Sequence, residues 1–186
     1  MSLVLASGSP RRAALLSMLG LTFEVVVPVG EESAEAGLAP AETVCLLSGR
    51  KAAEVSAQRP ASDLIVAADT LVYLDGAALG KPGGPEEARA MLTRLSGRVH
   101  EVYTGVTVAR GGVLRREALR TRVTFRVLSQ LEIDAYVRSG TPLDKAGAYG
   151  IQDRGALFVE RIEGDFYNVM GLPLCLLYRM APELLD

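Results

Sequence analysis

At 186 residues, with 49% hydrophobic and 23% charged side chains, the chain has the composition of a globular protein with room for a sizeable core. A formal net charge of -2 argues against a broad basic face for duplex nucleic acid, and there is no window of about 18 unbroken apolar residues to span a membrane. One histidine and two widely separated cysteines argue against a structural zinc site, and Cys45 and Cys175 are expected to be buried thiols in apolar helical patterns.

The opening MSLVLASGSPRR places its apolar run ahead of its arginines, the reverse of a secretory signal, so cytoplasmic residence is the default expectation. Val4 to Ala6 reads as a first strand, followed by a Ser/Gly turn and a helix from Pro10 to about Leu19, with Ser9 as N-cap and Gly20 closing it. Phe23 to Val27 is a second strand, and Pro40 opens a helix reaching about Ala57. Leu64 to Leu74 is a long apolar strand that turns at Asp75-Gly76 into a short return strand and then the LGKPGG loop. A helix runs from Pro85 to Leu95, and Val99 to Ala109 pairs with Val113 to Val127 around Gly111-Gly112. Ser129 caps a helix ending near Gly140, GTPLDKAGAYGIQDRG is irregular, Ala156 to Ile162 is a strand, and Pro173 opens the last helix. Strands, helices and hairpins in this order predict an α/β fold with a mixed, partly antiparallel sheet flanked by helices. Residues 1–186 are expected to form one domain of two lobes.

Several positions break the pattern of a passive fold. A strand, a small-residue turn and a helix N-terminus together form an anion-binding arrangement, yet Arg11 and Arg12 occupy the first turn, where the aligned peptide dipoles already disfavour cations. Either both arginines point to solvent or a multiply charged anion is expected. Only three of the 20 basic residues are lysines, Lys51, Lys81 and Lys145, which marks these as places where a compact ammonium is preferred to a planar guanidinium. Lys51 shares the apolar stripe of Val44, Leu47 and Val55, so it needs a counter-charge, a cleft or a route for its stem to the surface. Asp69 interrupts LIVAADTLVYL, where an ionised carboxylate must be paired, hydrogen bonded or metal bound; a divalent ion and a salt bridge to an arginine are the two alternatives. Lys81 sits in a Gly/Pro-rich loop that suits either a phosphate contact or an ordinary surface lysine. Glu31 and Glu32 read from the residues alone as solvated loop acids, and His100 as a hydrogen-bonded structural group. Lys145, beside Asp144, fits an ion pair that shapes its loop as well as a ligand contact.

In order along the chain, SGSPRR (Ser7 to Arg12), Glu31-Glu32, Lys51 in RKAAEV, ADT (Ala68 to Thr70), Lys81-Pro82, SGRVHEVYTGV, DKAGAYGIQ and NVMGLPL resemble the Maf family of nucleoside triphosphate pyrophosphatases. The resemblance implies a two-lobed α/β fold with a central cleft, related to inosine triphosphate pyrophosphatases. It implies hydrolysis of dTTP, UTP or modified pyrimidine nucleotides to monophosphate and pyrophosphate, a house-cleaning reaction that uses Mg²⁺ or Mn²⁺. By the same resemblance Asp69 is the proton acceptor; Glu32, Lys51 and Lys81 serve the metal and phosphates; and Arg12, Thr70 and Gln152 read the base. Ser7, Ser9 and Arg11 complete the expected substrate surface, and Glu32 and Asp69 are the expected metal ligands. The expected partner is a nucleoside triphosphate, with neither nucleic acid nor membrane, and a homodimer is left open. The competing readings are a pyrophosphatase for 7-methyl-GTP or another modified base, and a nucleotide-binding regulator of septum formation with little turnover.

Overall fold

The computed structural model describes residues 2–30 and 37–185. The first strand, β1 (Leu3–Ala6), is followed by α1 (Pro10–Met18), the short β2 (Glu24–Val25) and the long α2 (Pro40–Ser56). Next come β3 (Leu64–Leu74), β4 (Ala77–Leu79), α3 (Pro85–Leu95), β5 (Val99–Arg110), β6 (Val113–Phe125) and α4 (Gln130–Arg138). Three 3₁₀ turns between Thr141 and Phe158 lead to β7 (Val159–Glu163), α5 (Phe166–Met170) and α6 (Leu174–Met180). Among the described residues the sheet has seven strands, in the order β2-β1-β3-β5-β6-β7 with β4 on β3. It is mixed, as the sequence predicts: β1 is parallel to β2 and β3, while β3–β4 and β6–β7 are antiparallel.

The chain divides into two compact units, one of Met1–Asp69, Thr104–Leu119 and Gly171–Asp186, the other of Thr70–Tyr103 and Arg120–Met170. In the first unit the period of two along β3 puts Ile65 and Ala67 on one face with Val4 and Ala6 of β1, and the α2 stripe delivers Ala52 and Val55 onto them; all six are buried. The helix also lies directly on β5. A Cβ added at Gly105 would collide with the Val44 carbonyl and the Cys45 nitrogen, and the buried hydroxyls of Ser48 and Thr107 are hydrogen bonded at 2.9 Å beside it. In the second unit, α3 packs on α4 and is joined to it by Arg89 Nε donating to Asp134 Oδ1 at 2.8 Å. Its core is built of Val72, Leu92, Leu95, Phe125, Tyr136, Tyr149 and Phe158.

Local signals account for most boundaries. Both hairpin turns use positive-φ pairs, Asp75 (51°) with Gly76 (79°) and Gly111 (58°) with Gly112 (81°), which match the twist of the flanking strands. At α4 the Ser129 hydroxyl accepts from the Glu132 amide while Glu132 accepts from the Ser129 amide, so the expected cap is a reciprocal box. Other expectations need correction. The predicted strand Phe23 to Val27 shrinks to two residues, because Pro28 has no N–H to donate; Val25, Val27 and Val29 are left exposed. The predicted strand from Ala156 begins only at Val159, because Asp153 caps the Gly155 amide and winds Arg154–Phe158 into a 3₁₀ turn. Helix α5 is an element the sequence pattern does not predict; Asp165, accepting from the Asn168 amide at 2.8 Å, caps its start.

The cysteine expectation also fails. Cys45 is half-buried and Cys175 is exposed, since α6 turns Leu174, Leu176, Leu177 and Met180 inward and leaves Cys175 with Tyr178 outside; both thiols are free, as expected. Among the described residues no helix is long and apolar enough to cross a membrane. Gly105→Ala is expected to lower stability by about 2–3 kcal/mol by pushing the α2 backbone off β5. Urea unfolding checks this, and an unchanged midpoint would show that α2 has slack there.

Candidate functional site

The parallel register of β1 and β3 aligns Ala6 with Ala67, and β1 ends there. Ser7 to Ser9 leave one strand as Ala68 and Asp69 continue the other, so the turn and the carboxylate share the carboxyl end of a parallel pair, the usual ligand position of α/β sheets. Asp69 continues the Ile65, Ala67 face toward α2, and Lys51 continues the Val55 stripe toward β3. The two meet: Lys51 Nζ donates to Asp69 Oδ1 at 2.7 Å, with side chains only 13% and 12% exposed. The counter-charge that each residue needed is the other, rather than an arginine. A pair this well covered strengthens with its low-dielectric surroundings, but either partner left alone would be costly.

At the turn, the Ser7 hydroxyl is nearly buried and accepts from the Ser9 amide at 3.1 Å and from Arg12 Nη1 at 3.1 Å. Arg12 Nε donates to the Gly171 carbonyl at 2.8 Å, so the guanidinium ties α1 to the turn before it and to the segment leading into α6. Arg12 therefore does not point away to solvent, and Arg11 beside it is half-buried. Ser9 corrects the expectation: it stands at the N-cap with extended backbone, but its side chain makes no capping bond. Ser7 has taken over the local hydrogen bonding. Pro10 fills the first helical position, where no N–H is required.

The remaining candidates lie in the second unit. Thr70 is half-buried, while Lys81 and Gln152 are exposed on loops. Those two loops are joined, since the Gly147 amide donates to the Gly80 carbonyl at 3.0 Å. Gly147 (φ 67°) packs its bare Cα against Val72, and Ala148 follows with φ 59° while fully buried, a strained backbone held by its surroundings. Glu32, with Glu31, lies outside the described residues. The structure thus joins Lys51 with Asp69 and Ser7 with Ser9 and Arg12, and links the loops of Lys81 and Gln152 by backbone. The sequence does not single out Gly105, whose bare Cα lets β5 approach the α2 backbone at Val44 and Cys45, or Asp153, which accepts from the Gly155 amide in the segment after Gln152. A glycine inside a strand is a signal for the first.

As a metal ligand set, Asp69 is a hard oxygen donor with one oxygen engaged by Lys51. Among the described residues no group of three or more His, Cys, Asp or Glu is gathered.

His100 is a core group. Its Nε2 shares a hydrogen bond with the Tyr149 hydroxyl at 2.8 Å, and the ring meets Phe125 and Tyr149 edge-on at 4.9 and 5.4 Å.

The fold is shared with a solved Ham1 protein of Staphylococcus aureus, at TM-score 0.52 and 13% identity over 98% of this chain and 99% of that one. A solved HAM1 protein of Coxiella burnetii gives TM-score 0.50 and 14% identity over 98% and 99%. These likenesses define the fold class, a mixed α/β sheet flanked by helices. The sequence defines the family: the model described as Maf-like protein matches residues 2–184, and this chain belongs to that family. The family resemblance read from the motifs is borne out. A dTTP/UTP pyrophosphatase of Salinibacter ruber is 53% identical over 180 residues, covering 95% of this chain and 88% of the relative. One from Bacillus cereus is 46% identical over 177 residues, covering 95% and 92%.

Burial pushes the His100 imidazole from its ordinary 6.5 down to about 4. Between those values the unfolded chain takes up a proton that the folded chain does not, so stability is full above pH 6.5 and falls on acidification, by up to about 3 kcal/mol. Urea midpoints between pH 7 and pH 4 should fall less steeply in His100→Gln; equal slopes would remove the imidazole as a cause.

Proposed function

We propose that this chain hydrolyses nucleoside triphosphates, dTTP and UTP foremost, to the monophosphate and pyrophosphate, removing unwanted nucleotides in the cytoplasm. The observation that carries this reading is the covered Lys51–Asp69 pair just beyond the carboxyl end of the β1–β3 parallel pairing, in a chain whose 53% and 46% identical relatives are named dTTP/UTP pyrophosphatases.

Phosphoryl chemistry asks a protein mainly for positioning and charge neutralisation. Lys51 holds the Asp69 carboxylate in one orientation, which suits Asp69 to take the proton of a water attacking the α-phosphorus. As the new P–O bond forms, the bond from the α-phosphorus to the bridging oxygen breaks and pyrophosphate departs with the electron pair. Arg11, Arg12, Lys51 and Lys81 offset the roughly four negative charges of the triphosphate, with phosphate oxygens received at the Ser7–Ser9 turn and the start of α1. Thr70 and Gln152 each donate and accept hydrogen bonds, as reading a pyrimidine edge requires. A Mg²⁺ or Mn²⁺ ion held by Asp69 with Glu32 would neutralise phosphate charge and lower the pKa of attacking water.

Asp69→Asn is expected still to unfold cooperatively, at a lower urea midpoint because Lys51 loses a covered counter-charge, and to lose turnover by about 10²-fold or more, as removal of a general base does. Pyrophosphate release from dTTP, UTP, 7-methyl-GTP and ITP, with and without Mn²⁺, measures both substrate and metal. An Asp69→Asn protein as active as the parent at matched metal removes Asp69 from the base role; 7-methyl-GTP as the best substrate overturns the pyrimidine assignment; and binding of dTTP without release favours a regulator.

A further inference from the structure

We propose that Lys145 and Asp153 form a clamp that orients Gln152 and so sets base discrimination, an inference that rests on the nucleotide-hydrolase reading above. Lys145 is one of only three lysines among 20 basic residues, and its side chain is just 10% exposed. Its ammonium donates to the Thr141 carbonyl and to Asp144 Oδ1, both at 2.6 Å, and pairs with Asp153 Oδ2 at 3.6 Å. Two short hydrogen bonds and one longer ion pair gathered on a single nitrogen suit a compact ammonium with rotatable donors and not a planar fork.

Asp153 is the residue next to Gln152, and its other oxygen is fully engaged. Oδ1 accepts from the Tyr136 hydroxyl at 2.8 Å and from the Gly155 amide at 2.8 Å, while the Tyr136 oxygen accepts from the Gly150 amide at 3.1 Å. The segment from Gly150 to Gly155 is therefore fastened at both ends to one tyrosine of α4 and one carboxylate, with exposed Gln152 between the two fastenings. Gly150 is the hinge pin of the arrangement: a Cβ there would collide with Asp153 Oδ2 and lie 2.7 Å from Lys145 Cε. Tyr136 is held as a neutral donor, since burial and the neighbouring Asp153 raise its pKa.

Such a device acts before substrate arrives. A flexible amide can rotate to satisfy any base edge; one on a pinned segment leaves unmatched bases with unpaired polar groups, which is how a site rejects them. Lys145 and Asp153 are thus positioning residues, acting through Gln152.

The test uses the full chain and the variants Lys145→Met, Asp153→Asn and Asp144→Asn. Lys145→Met and Asp153→Asn should each lower the ratio of kcat/KM for UTP over ITP by about tenfold or more, through KM for UTP, with kcat held within about threefold. Asp144→Asn, which leaves the Asp153 arm intact, should not. Hydrogen exchange followed by mass spectrometry should show faster exchange at Gly150 to Gly155 in the first two variants and unchanged exchange elsewhere. An unchanged UTP/ITP ratio overturns the specificity role, and unchanged exchange overturns the clamp. Should Asp153→Asn not fold, Tyr136→Phe removes one hydroxyl from the same carboxylate and reads the same ratio. Absence of pyrophosphate release from the parent protein with every nucleotide would overturn the hydrolase reading and the specificity role with it, while the exchange measurement would still decide the clamp.

Discussion

A lysine and an aspartate, both nearly covered and 2.7 Å apart, set the terms for the first unit of this protein. Neither charge is tolerable there alone, so β3 and α2 must present them to each other, and that demand fixes the register of the helix against the sheet. The apolar layer of Val4, Ala6, Ala52, Val55, Ile65 and Ala67 brings helix and sheet together; the ion pair decides where along that layer they stop. Gly105 permits the approach by having no side chain, and the Ser48–Thr107 hydrogen bond fixes it from the other strand. Alanine at residue 105 or a larger residue at residue 48 would act on Asp69 without touching it.

The second unit solves a different problem, that of holding an irregular loop without a ladder of backbone hydrogen bonds. It does so with glycines that admit close approach, a buried alanine in a left-handed conformation, and a polar network in which Tyr136 donates to Asp153, the two accept the Gly150 and Gly155 amides, and the Lys145 ammonium lies 3.6 Å from the second Asp153 oxygen. Such networks rigidify when complete and fail when one member is removed. The arginine-rich surface is different in kind. Arg98–Asp75, Arg120–Glu101 and Arg122–Glu163 are exposed pairs, which contribute little each and leave the folding largely to the core.

Most elements were legible in the sequence because their signals are local. Proline at the first helical position marked α1, α2 and α3; Asp-Gly and Gly-Gly pairs marked both hairpins; Ser129 marked α4. The errors fell where a long-range contact overrides local preference. The Ala156 region reads as strand until Asp153 bends it, and Cys175 reads as core until α6 chooses which side to bury. Ser9 reads as a cap from its place before Pro10, and its backbone is extended as a cap requires, but its hydroxyl makes no capping bond.

By itself the sequence determined which residues are chemically out of place: a charge on an apolar helical stripe, a carboxylate within an apolar strand, and three lysines surviving among arginines. Those are properties of periodicity and composition, and they persist in any fold that buries the same stripes. Only the tertiary structure decided that Lys51 answers Asp69, that Arg12 spans from Ser7 to Gly171, and that Lys145 answers Asp153. Each of these pairings is a distance between side chains whose directions are set by packing, and burial energies fix packing over the whole chain at once.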